Sequence, residues 1–242
     1  MLKLSVITVT YNAAHTLERT LRSVQEQTFP YIEHVIVDGN SRDDTIALIQ
    51  QYENEKMNWV SEPDKGLYDA MNKAARRATG DYLCFLNAGD TFFATDSVER
   101  MMQNMESGPS PDIIYGETAI VDEKGTFLHM RRLKAPEKLT WRSFQQGMLV
   151  CHQAFVVKNK LFEPYDLSYS FSSDFDWCIR MMKKAEGIQN SHLTLINYLH
   201  EGMTTIHRKT SLKERYCIMV KYYGQVSTFF HHIWFLIRAV IK

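Results

Sequence analysis

Hydrophobic residues in the first third of the chain alternate between two kinds of run. Short apolar runs are typical of buried strands, and they predict strands at residues 4–10, 33–37 and 81–86; residues 57–60 predict a short strand between the second and the last of these. Between them, apolar residues recur at helical spacing, which predicts helices at 16–27 and 68–78 and another that follows a capping-box-like start at Ser41 and Asp44. This alternation predicts a parallel sheet with right-handed crossovers.

The second part of the chain is less regular. Its apolar runs predict further strands at residues 112–121, 126–133, 148–157 and 192–199. Helical spacing predicts a helix at 175–184, capped by Ser172 or Ser173, and two tail helices at 211–223 and 228–241. The pattern thus predicts an α/β chain with a Rossmann-like, mostly parallel central sheet flanked by helices and a C-terminal helical tail.

Composition and charge narrow the class of protein. The chain has 242 residues, of which 45% are hydrophobic and 23% charged, as in ordinary globular domains. Its 28 basic and 28 acidic residues balance, so we expect no nucleic-acid partner. The balance is uneven, because residues 206–242 hold seven basic residues and one acid. Such a basic tail is typical of a segment that meets an anionic surface.

The cysteines and the N-terminus predict a reducing, cytoplasmic location. Four cysteines lie far apart with no Cys-x-x-Cys pair, which argues against a thiolate zinc site and favours buried, apolar cysteines; they are Cys84, Cys151, Cys178 and Cys217. The first residues lack a signal-peptide layout, and the sequence has no uncharged apolar run of about 18 residues.

Polar residues gather where the first four predicted strands end. These ends carry residues 8–12, 38–41, 62–66 and 87–90. Open parallel sheets bind ligands at the carboxyl ends of their strands, so these residues can converge on one crevice. The Gly-x-Gly-x-x-Gly of dinucleotide-binding proteins is absent after the first strand, and so is a Walker loop. A bound diphosphate would therefore need another source of positive charge, most simply a divalent metal on oxygen ligands.

Several polar residues have both a structural and a functional interpretation. Asp90 is suited to bind a metal, and Asn87 can assist through its carbonyl oxygen or a water, although residues 87–90 are also typical of a turn. Asp38 follows a buried strand, and cap candidates nearby leave it free to accept hydrogen bonds from a ligand. Lys65 and Lys73 can meet phosphate or remain solvated.

The segment that follows Ser172 offers the other candidate group. Asp174 lies near the start of a predicted helix, where it can serve as an ordinary cap or as a general base. His152 lies in a predicted apolar strand, which is typical of a core histidine.

Five segments together resemble the family 2 glycosyltransferases, inverting enzymes of the GT-A fold that use nucleotide-sugar donors. The segments are SVITVTYNAAHTLERTLRSVQEQTF, EHVIVDGNSRDDT, SEPDKGLYDAMNKAARRATGDYLCFLNAGD, HQAFVV and SSDFDWCIR. They occur in the family's order through most of the first 205 residues. The third segment is similar to a subgroup related to colanic-acid and other polysaccharide transferases.

The resemblance implies roles for individual residues. The donor would be bound by Thr8, Tyr11, Asn12, Asp38, Asp64, Lys65 and Asn87. Asp38 would contact the nucleobase. Asp90 would coordinate Mn²⁺ or Mg²⁺ across the diphosphate, and Asp174 would deprotonate the acceptor hydroxyl.

The chain departs from the family pattern twice. The usual Asp-x-Asp is replaced by residues 87–90, which hold one carboxylate, and Ser173 replaces the Glu that normally precedes the catalytic Asp. Asp176 is a rival base, although its position two residues along a helix should point it elsewhere.

The resemblance also divides the chain. It implies a GT-A catalytic domain at 1–205, with a nucleotide-sugar-binding half at 1–110 and an acceptor half at 111–205, followed by a basic amphipathic helical tail at 206–242. The apolar segment 227–242 is too short and interrupted to span a bilayer. It suits an interfacial helix on anionic lipid, or alternatively a helix packed on the domain or in a homodimer interface.

The predicted function follows from these expectations. We expect a cytoplasmic, metal-dependent, inverting hexosyl- or N-acetylhexosaminyltransferase, with peripheral contact at the inner face of the membrane. It would move a sugar from a UDP-linked donor to a glycan or lipid-linked acceptor in surface polysaccharide biosynthesis. The alternatives are a nucleotidyltransferase, whose Gly-rich Arg/Lys loop is missing, and a non-catalytic nucleotide-sugar-binding or scaffold protein on the same fold.

Overall fold

The computed structural model describes residues 2–105, 110–200 and 208–240. The strands are β1 (Leu4–Thr10), β2 (Ile32–Asp38), β3 (Met57–Ser61), β4 (Tyr82–Phe85), β5 (Thr91–Phe92), β6 (Ile113–Val121), β7 (Phe127–Met130), β8 (Phe155–Lys158) and β9 (Ile188–Leu199). The helices are α1 (Ala14–Gln25), α2 (Thr45–Gln51), α3 (Leu67–Arg77), α4 (Ser97–Gln103), α5 (Ser173–Lys184), α6 (Arg208–Tyr223) and α7 (Gln225–Val240). Short 3₁₀ helices lie at Trp141–Gln146, His152–Ala154 and Asn159–Leu161.

The strands form one mixed sheet in the order β3-β2-β1-β4-β8-β6-β9-β5, with β7 paired to β6. The first four strands are parallel, as predicted, and β8 joins them antiparallel to both β4 and β6. Strand β9 is parallel to β6 and antiparallel to β5. The predicted α/β class, with a central sheet flanked by helices, is confirmed.

Burial explains the regular first half. Every residue of β1 and β2 is buried, because helices cover both faces of the parallel strands. Helix α1 buries Leu17, Leu21 and Val24 on one face, as its spacing predicts. Each such side chain contributes about 1.5–3 kcal/mol when it leaves water, so this pattern determines how the helix docks.

The second half differs from prediction at several elements. The prediction of a strand at 148–157 is wrong over most of that range. The chain forms a 3₁₀ helix at His152–Ala154 and pairs as β8 only from Phe155. Val150, Cys151 and Ala154 are buried in this irregular segment, and an apolar run does not by itself distinguish a strand from other buried backbone. Strand β5 and helix α4 were not predicted, since both are short.

Helix α6 packs on the body of the protein. Asp176 of α5 is fully buried and accepts hydrogen bonds from Lys221 Nζ at 2.9 Å and Tyr222 Oη at 2.8 Å. The Tyr223 ring stacks on Trp141 with centroids 5.6 Å apart. The predicted boundary at 205/206 lies outside the described residues.

Helix α7 carries two different faces. Phe235 packs against the core and Thr228 is fully buried. The exposed apolar side chains are Val226, Phe229, Phe230, Ile233, Trp234, Leu236 and Ile237. At 100° per residue they fall within an arc of about 160° on the other side of the helix. Over the ranges that the structure describes, no helix combines the length and hydropathy needed to cross a bilayer.

One expectation about the cysteines fails. Cys84, Cys151 and Cys178 are buried as predicted, and burial raises the pKa of the Cys84 thiol to about 12. Cys217 on α6 is exposed, because the body covers only one side of that helix.

Candidate active site

A pocket of about 650 Å³ opens at the carboxyl ends of β1 and β4 and beside the start of α5. Five residues of the predicted site line it: Tyr11, Asp64, Asn87, Asp90 and Asp174. The expected convergence of polar strand ends on one cleft is therefore present in the fold. The carboxylates of Asp90 and Asp174, which are distant in sequence, share this cleft.

Asp90 forms the deep end of the pocket. It is 4% exposed, and its carboxylate accepts hydrogen bonds from the Leu199 main-chain N–H at 2.9 Å and from Gln153 Nε2 at 2.7 Å. Burial raises the pKa of the Asp90 carboxyl to about 7, and these hydrogen bonds offset only part of that rise. A positive charge in the pocket would favour the ionised carboxylate.

Asn87 supplies a second oxygen to the same pocket. Its side-chain Oδ1 is buried and finds no hydrogen-bond partner among the described residues. Buried polar atoms are normally satisfied, so this orphan acceptor is a candidate contact for a ligand or an ion. Asp90 and Asn87 together fit a hard divalent cation, which binds one or two carboxylates and takes its other ligands from phosphate and water. The described residues contain no cluster of three or more His, Cys, Asp or Glu side chains arranged to hold a metal alone.

Asp174 lies at the other side of the pocket, in the first turn of α5. Its side chain is 16% exposed, and Oδ1 accepts hydrogen bonds from Tyr68 Oη at 3.1 Å and from the Phe175 main-chain N–H at 2.9 Å. Burial, and then the nearby Asp174 charge, raise the pKa of Tyr68 well above its usual value, so Tyr68 remains a hydrogen-bond donor. The geometry leaves Oδ2 of Asp174 turned toward His152.

His152 completes this side of the pocket. Its Nδ1 lies 3.6 Å from Asp174 Oδ2, which is too long for a hydrogen bond. Burial lowers the pKa of the His152 imidazole, with Asp174 opposing that effect, so the ring is neutral at pH 7. Its Nε2 is buried without a partner in the described structure. The prediction of a satisfied core histidine is therefore wrong, because the 3₁₀ turn brings the ring to the pocket.

Asp176 is not a rival base. It is fully buried against α6, and Arg180 Nε donates to it at 2.7 Å in addition to Lys221 and Tyr222. The expectation that Asp176 points away from Asp174 is confirmed. The helix cap differs from expectation, since the Ser172 hydroxyl contacts Ser211 of α6 and makes no cap bond within α5.

Four predicted donor-binding residues lie outside the pocket lining: Thr8, Asn12, Asp38 and Lys65. Thr8 is fully buried and donates to the Leu86 carbonyl at 2.9 Å. Thr10, two residues further along β1, lines the pocket instead. Asn12 is exposed and has a left-handed φ of 47°; its Oδ1 accepts from the main chain of Arg42. Lys65 is exposed next to the pocket residues Asp64 and Gly66.

Asp38 is engaged with the protein, so the expectation that it is free is wrong. Its Oδ2 accepts hydrogen bonds from Ser41 N at 2.9 Å and Ser61 Oγ at 2.6 Å, and its Oδ1 accepts from Ser41 Oγ. Ser41 Oγ in turn accepts from the main-chain N–H of Asn12 at 2.8 Å. Ser41 is thus drawn away from the predicted capping box, and α2 begins at Thr45 without a side-chain cap. Asp38 fixes the loop that carries Tyr11.

Tyr11 and Asp64 flank the mouth of the pocket. The Tyr11 side chain is 60% exposed there, and Asp64 Oδ1 accepts from the Gly66 main-chain N–H at 2.7 Å. A Cβ placed on Gly39 would lie 2.5 Å from Asp64 Oδ2, so the glycine allows the Asp64 carboxylate to approach the main chain here. The predicted strand ends therefore support one another sterically.

Several residues that line the pocket were not predicted as site residues from the sequence. Gln153, Arg131, Tyr198 and Arg215 all line the cleft. Arg131 donates to the carbonyls of Met148 and Leu149, and it holds the irregular segment that carries Gln153. No local spacing links these residues to the first four strands. Only the adjacent His152-Gln153 pair, two polar residues in an apolar run, gave a signal.

The sequence is similar to a known protein family and to glycosyltransferases of mycobacteria. Residues 5–164 match the family model described as glycosyl transferase family 2. An uncharacterized glycosyltransferase of Mycobacterium tuberculosis is 33% identical over 183 residues, covering 73% of this chain and 67% of the relative. A PGL/p-HBAD biosynthesis glycosyltransferase of Mycobacterium bovis is 31% identical over 218 residues, covering 86% of this chain and 82% of the relative.

Two solved structures share the fold. The structure of S. aureus TarS 1-349 in complex with UDP-GlcNAc has a TM-score of 0.70 at 18% identity, covering 93% of this chain and 69% of that one. The mannosyltransferase PcManGT from Pyrobaculum calidifontis, in complex with GDP-Man and Mn²⁺, has a TM-score of 0.66 at 17% identity, covering 91% and 64%. The GT-A architecture predicted for the chain is confirmed at the level of fold.

Proposed function

The chain belongs to glycosyl transferase family 2, and from that premise we propose that it transfers a sugar from a nucleotide-sugar donor to a hydroxyl of a glycan or lipid-linked acceptor, with inversion. The observation that carries the proposal is that Asp90 and Asp174 open into the same pocket from different parts of the chain. One carboxylate suits the diphosphate end of a donor, and the other suits the incoming hydroxyl. The proposed setting is polysaccharide biosynthesis at the cell surface.

The donor would enter over Tyr11 and Asp64. The exposed Tyr11 ring at the pocket mouth can cover a base, and the loop beneath it is held by Asp38 through Ser41. Asp38 thus acts behind the binding surface. We favour a UDP-linked hexose or N-acetylhexosamine, since S. aureus TarS, which shares the fold, is known in complex with UDP-GlcNAc.

Asp90 and Asn87 would hold Mn²⁺ or Mg²⁺ against the donor diphosphate. When bound, the ion would stabilise the negative charge that develops on the leaving nucleoside diphosphate. The buried Asp90 carboxylate and the orphan Asn87 oxygen support this assignment. Gln153 would orient the Asp90 carboxylate through its 2.7 Å hydrogen bond.

Asp174 is the proposed general base. It would take the proton from the acceptor hydroxyl as that oxygen forms a bond to the anomeric carbon, while the bond from that carbon to the diphosphate oxygen breaks. A single displacement inverts the anomeric configuration and needs no covalent enzyme nucleophile. Tyr68 holds the carboxylate in place through Oδ1, and this leaves Oδ2 for the proton.

Donor turnover tests the proposal. The protein with Mn²⁺ is incubated with a panel of UDP-, GDP- and dTDP-sugars, and release of nucleoside diphosphate is measured with and without candidate acceptors. Asp174→Asn should reduce turnover by about 10²- to 10⁴-fold while nucleotide binding stays intact. The matched control, Asp176→Asn, should instead lower stability by about 3 kcal/mol, since Asp176 is buried with its cations. Binding of nucleotide sugars without turnover of any of them would favour the non-catalytic alternative.

The exposed face of α7 is the proposed contact with the inner face of the membrane. Its apolar side chains lie on one arc, and residues 225–242 contain Arg and His but no acid. An apolar helical face without negative charge suits the surface of an anionic bilayer. Residues 241 and 242 lie outside the described ranges.

Vesicle binding tests this contact. Trp234→Ser combined with Phe230→Ser should abolish co-sedimentation with phosphatidylglycerol-containing vesicles, whereas Phe127→Ser, an exposed apolar side chain on β7, should not. Light scattering after gel filtration is the second measurement. If the double variant changes a dimer to a monomer and leaves vesicle binding unaltered, the face is a dimer interface.

A further inference from the structure

Helix α6 contributes to the pocket although it lies beyond residues 5–164, the part that matches the family model. Arg215 of α6 lines the cleft together with Ser170, Phe171 and Asp174. The helix is anchored close to it, because the Glu214 carboxylate accepts from the main-chain N–H groups of Ser170 at 2.8 Å and Phe171 at 2.9 Å. The position of Arg215 is therefore fixed relative to the start of α5.

Arg215 is a cation with an unused donor. Its Nε is buried and has no hydrogen-bond partner within the described ranges, and its guanidinium lies 6.0 Å from the centroid of the Phe175 ring. Leaving a buried donor of a charged group unpaired is costly. By contrast, Arg131, which also lines the pocket, donates to carbonyls of its own surroundings. The free donor of Arg215 thus points to a partner that comes with a ligand.

The ligand that fits is an anion with more than one oxygen. The planar guanidinium offers paired donors that match a phosphate or a carboxylate. Phe175, which supports the guanidinium, directly follows Asp174, and Ser170 and Phe171 lead into the same turn. A general base must lie within reach of the acceptor hydroxyl, so a group on this wall faces the acceptor.

We propose that Arg215 binds an anionic group of the acceptor, a phosphate or a carboxylate, beside the hydroxyl that Asp174 deprotonates. The assignment of this group to an acceptor rests on the proposed function. It narrows the acceptor class to acidic glycans and phosphate-linked saccharides. Arg215 is then a specificity-determining residue contributed by the tail.

Binding of inorganic phosphate provides a test that needs no turnover. Thermal shifts are recorded with phosphate in the presence of saturating UDP, which occupies the donor side. Phosphate should raise the melting temperature of the wild type and of Lys213→Gln, an exposed neighbour on α6, but not that of Arg215→Gln. Arg215→Lys serves if the glutamine variant does not fold. Equal shifts in all variants would overturn the proposal. An Arg215-dependent shift without any sugar transfer would count against the proposed function alone.

Acceptor kinetics distinguish the sources of the anion. Neutral alkyl glycosides are compared with their 6-phosphates, with uronates and with diphosphate-linked lipid saccharides. The wild type should prefer at least one charged class over the neutral glycosides by tenfold or more, and Arg215→Gln should remove that preference while the KM for the donor stays unchanged. A rise in the KM for the donor with every acceptor would place Arg215 at the donor diphosphate and overturn the proposal.

Discussion

Tyr68 of α3 donates a 3.1 Å hydrogen bond to Oδ1 of Asp174, which lies 106 residues later in the chain. The Tyr68 ring is itself held by stacking on Tyr165, with centroids 5.4 Å apart. Asn72 of α3 reinforces the junction, because its amide both donates to and accepts from the main chain of Tyr165. The orientation of the proposed base therefore depends on helix α3, which lies in the half proposed to bind the nucleotide sugar.

Tyr68→Phe should lower kcat for sugar transfer by about ten- to a hundredfold. A hydrogen bond to a charged group is worth about 1.5–3 kcal/mol, and the phenyl ring keeps the packing. Steady-state kinetics measure the effect, with Tyr31→Phe, an exposed tyrosine, as the control. An unchanged kcat in Tyr68→Phe would show that the hydrogen bond does not hold Asp174 for catalysis.

Substitutions of Asn87 should change the metal requirement. Asn87→Ala removes the buried orphan oxygen and should raise the Mn²⁺ concentration for half-maximal donor hydrolysis by about tenfold, whereas Asn87→Asp should lower it, because added ligand charge strengthens cation binding. A Mn²⁺ titration of each variant measures these midpoints. The same midpoint in wild type and both variants would remove Asn87 from the proposed metal site.

Gly39→Ala should weaken donor binding without unfolding the protein. The new Cβ would meet Asp64 Oδ2 at 2.5 Å, and the flexible carboxylate must move away from the pocket mouth. We expect the KM for the donor to rise about as much as it does in Asp64→Ala. Gly187→Ala is the matched control, since its nearest contact would be an ordinary 3.4 Å.

Combining Gly39→Ala with Asp64→Ala tests whether the two residues act through the same contact. If Gly39→Ala acts through Asp64, then adding it to Asp64→Ala should raise the donor KM no further. Additive effects of the two substitutions would mean that Gly39 acts by another route.

His34 should make the protein acid-sensitive. It is fully buried in β2 beside Thr8, and burial lowers the pKa of its imidazole to about 3. The unfolded chain, with an ordinary histidine pKa near 6.5, binds the proton more readily, so stability is full above that pH and falls as pH drops toward 3. At pH 5 the loss is about 2 kcal/mol.

Urea unfolding at pH 7.5 and pH 5 measures this loss. His34→Gln keeps a donor for Thr8 and removes the titration, so its free energy of unfolding should fall less between the two pH values than that of the wild type. An equal fall in both proteins would assign the acid sensitivity to other groups.

Local patterning determined the first half of this protein. The strands β1 to β4 and the amphipathic helices between them follow from runs of apolar residues, whose burial dominates folding. The same patterning places Asn87, Asp90 and Asp64 at strand ends, and the sheet geometry then brings them to one edge. These inferences needed only spacing along the chain.

Tertiary packing decided the rest of the site. Asp174 and Asp176 are two acids in one helical turn, yet Asp176 is neutralised by Lys221 and Arg180 while Asp174 faces the pocket. The 3₁₀ turn at His152, the partners of Asp38 and the contribution of Arg215 likewise arise from contacts between distant segments. A side chain's hydrogen bonds depend on which groups the fold brings within about 3 Å of it, and the spacing of residues along the chain does not contain that distance.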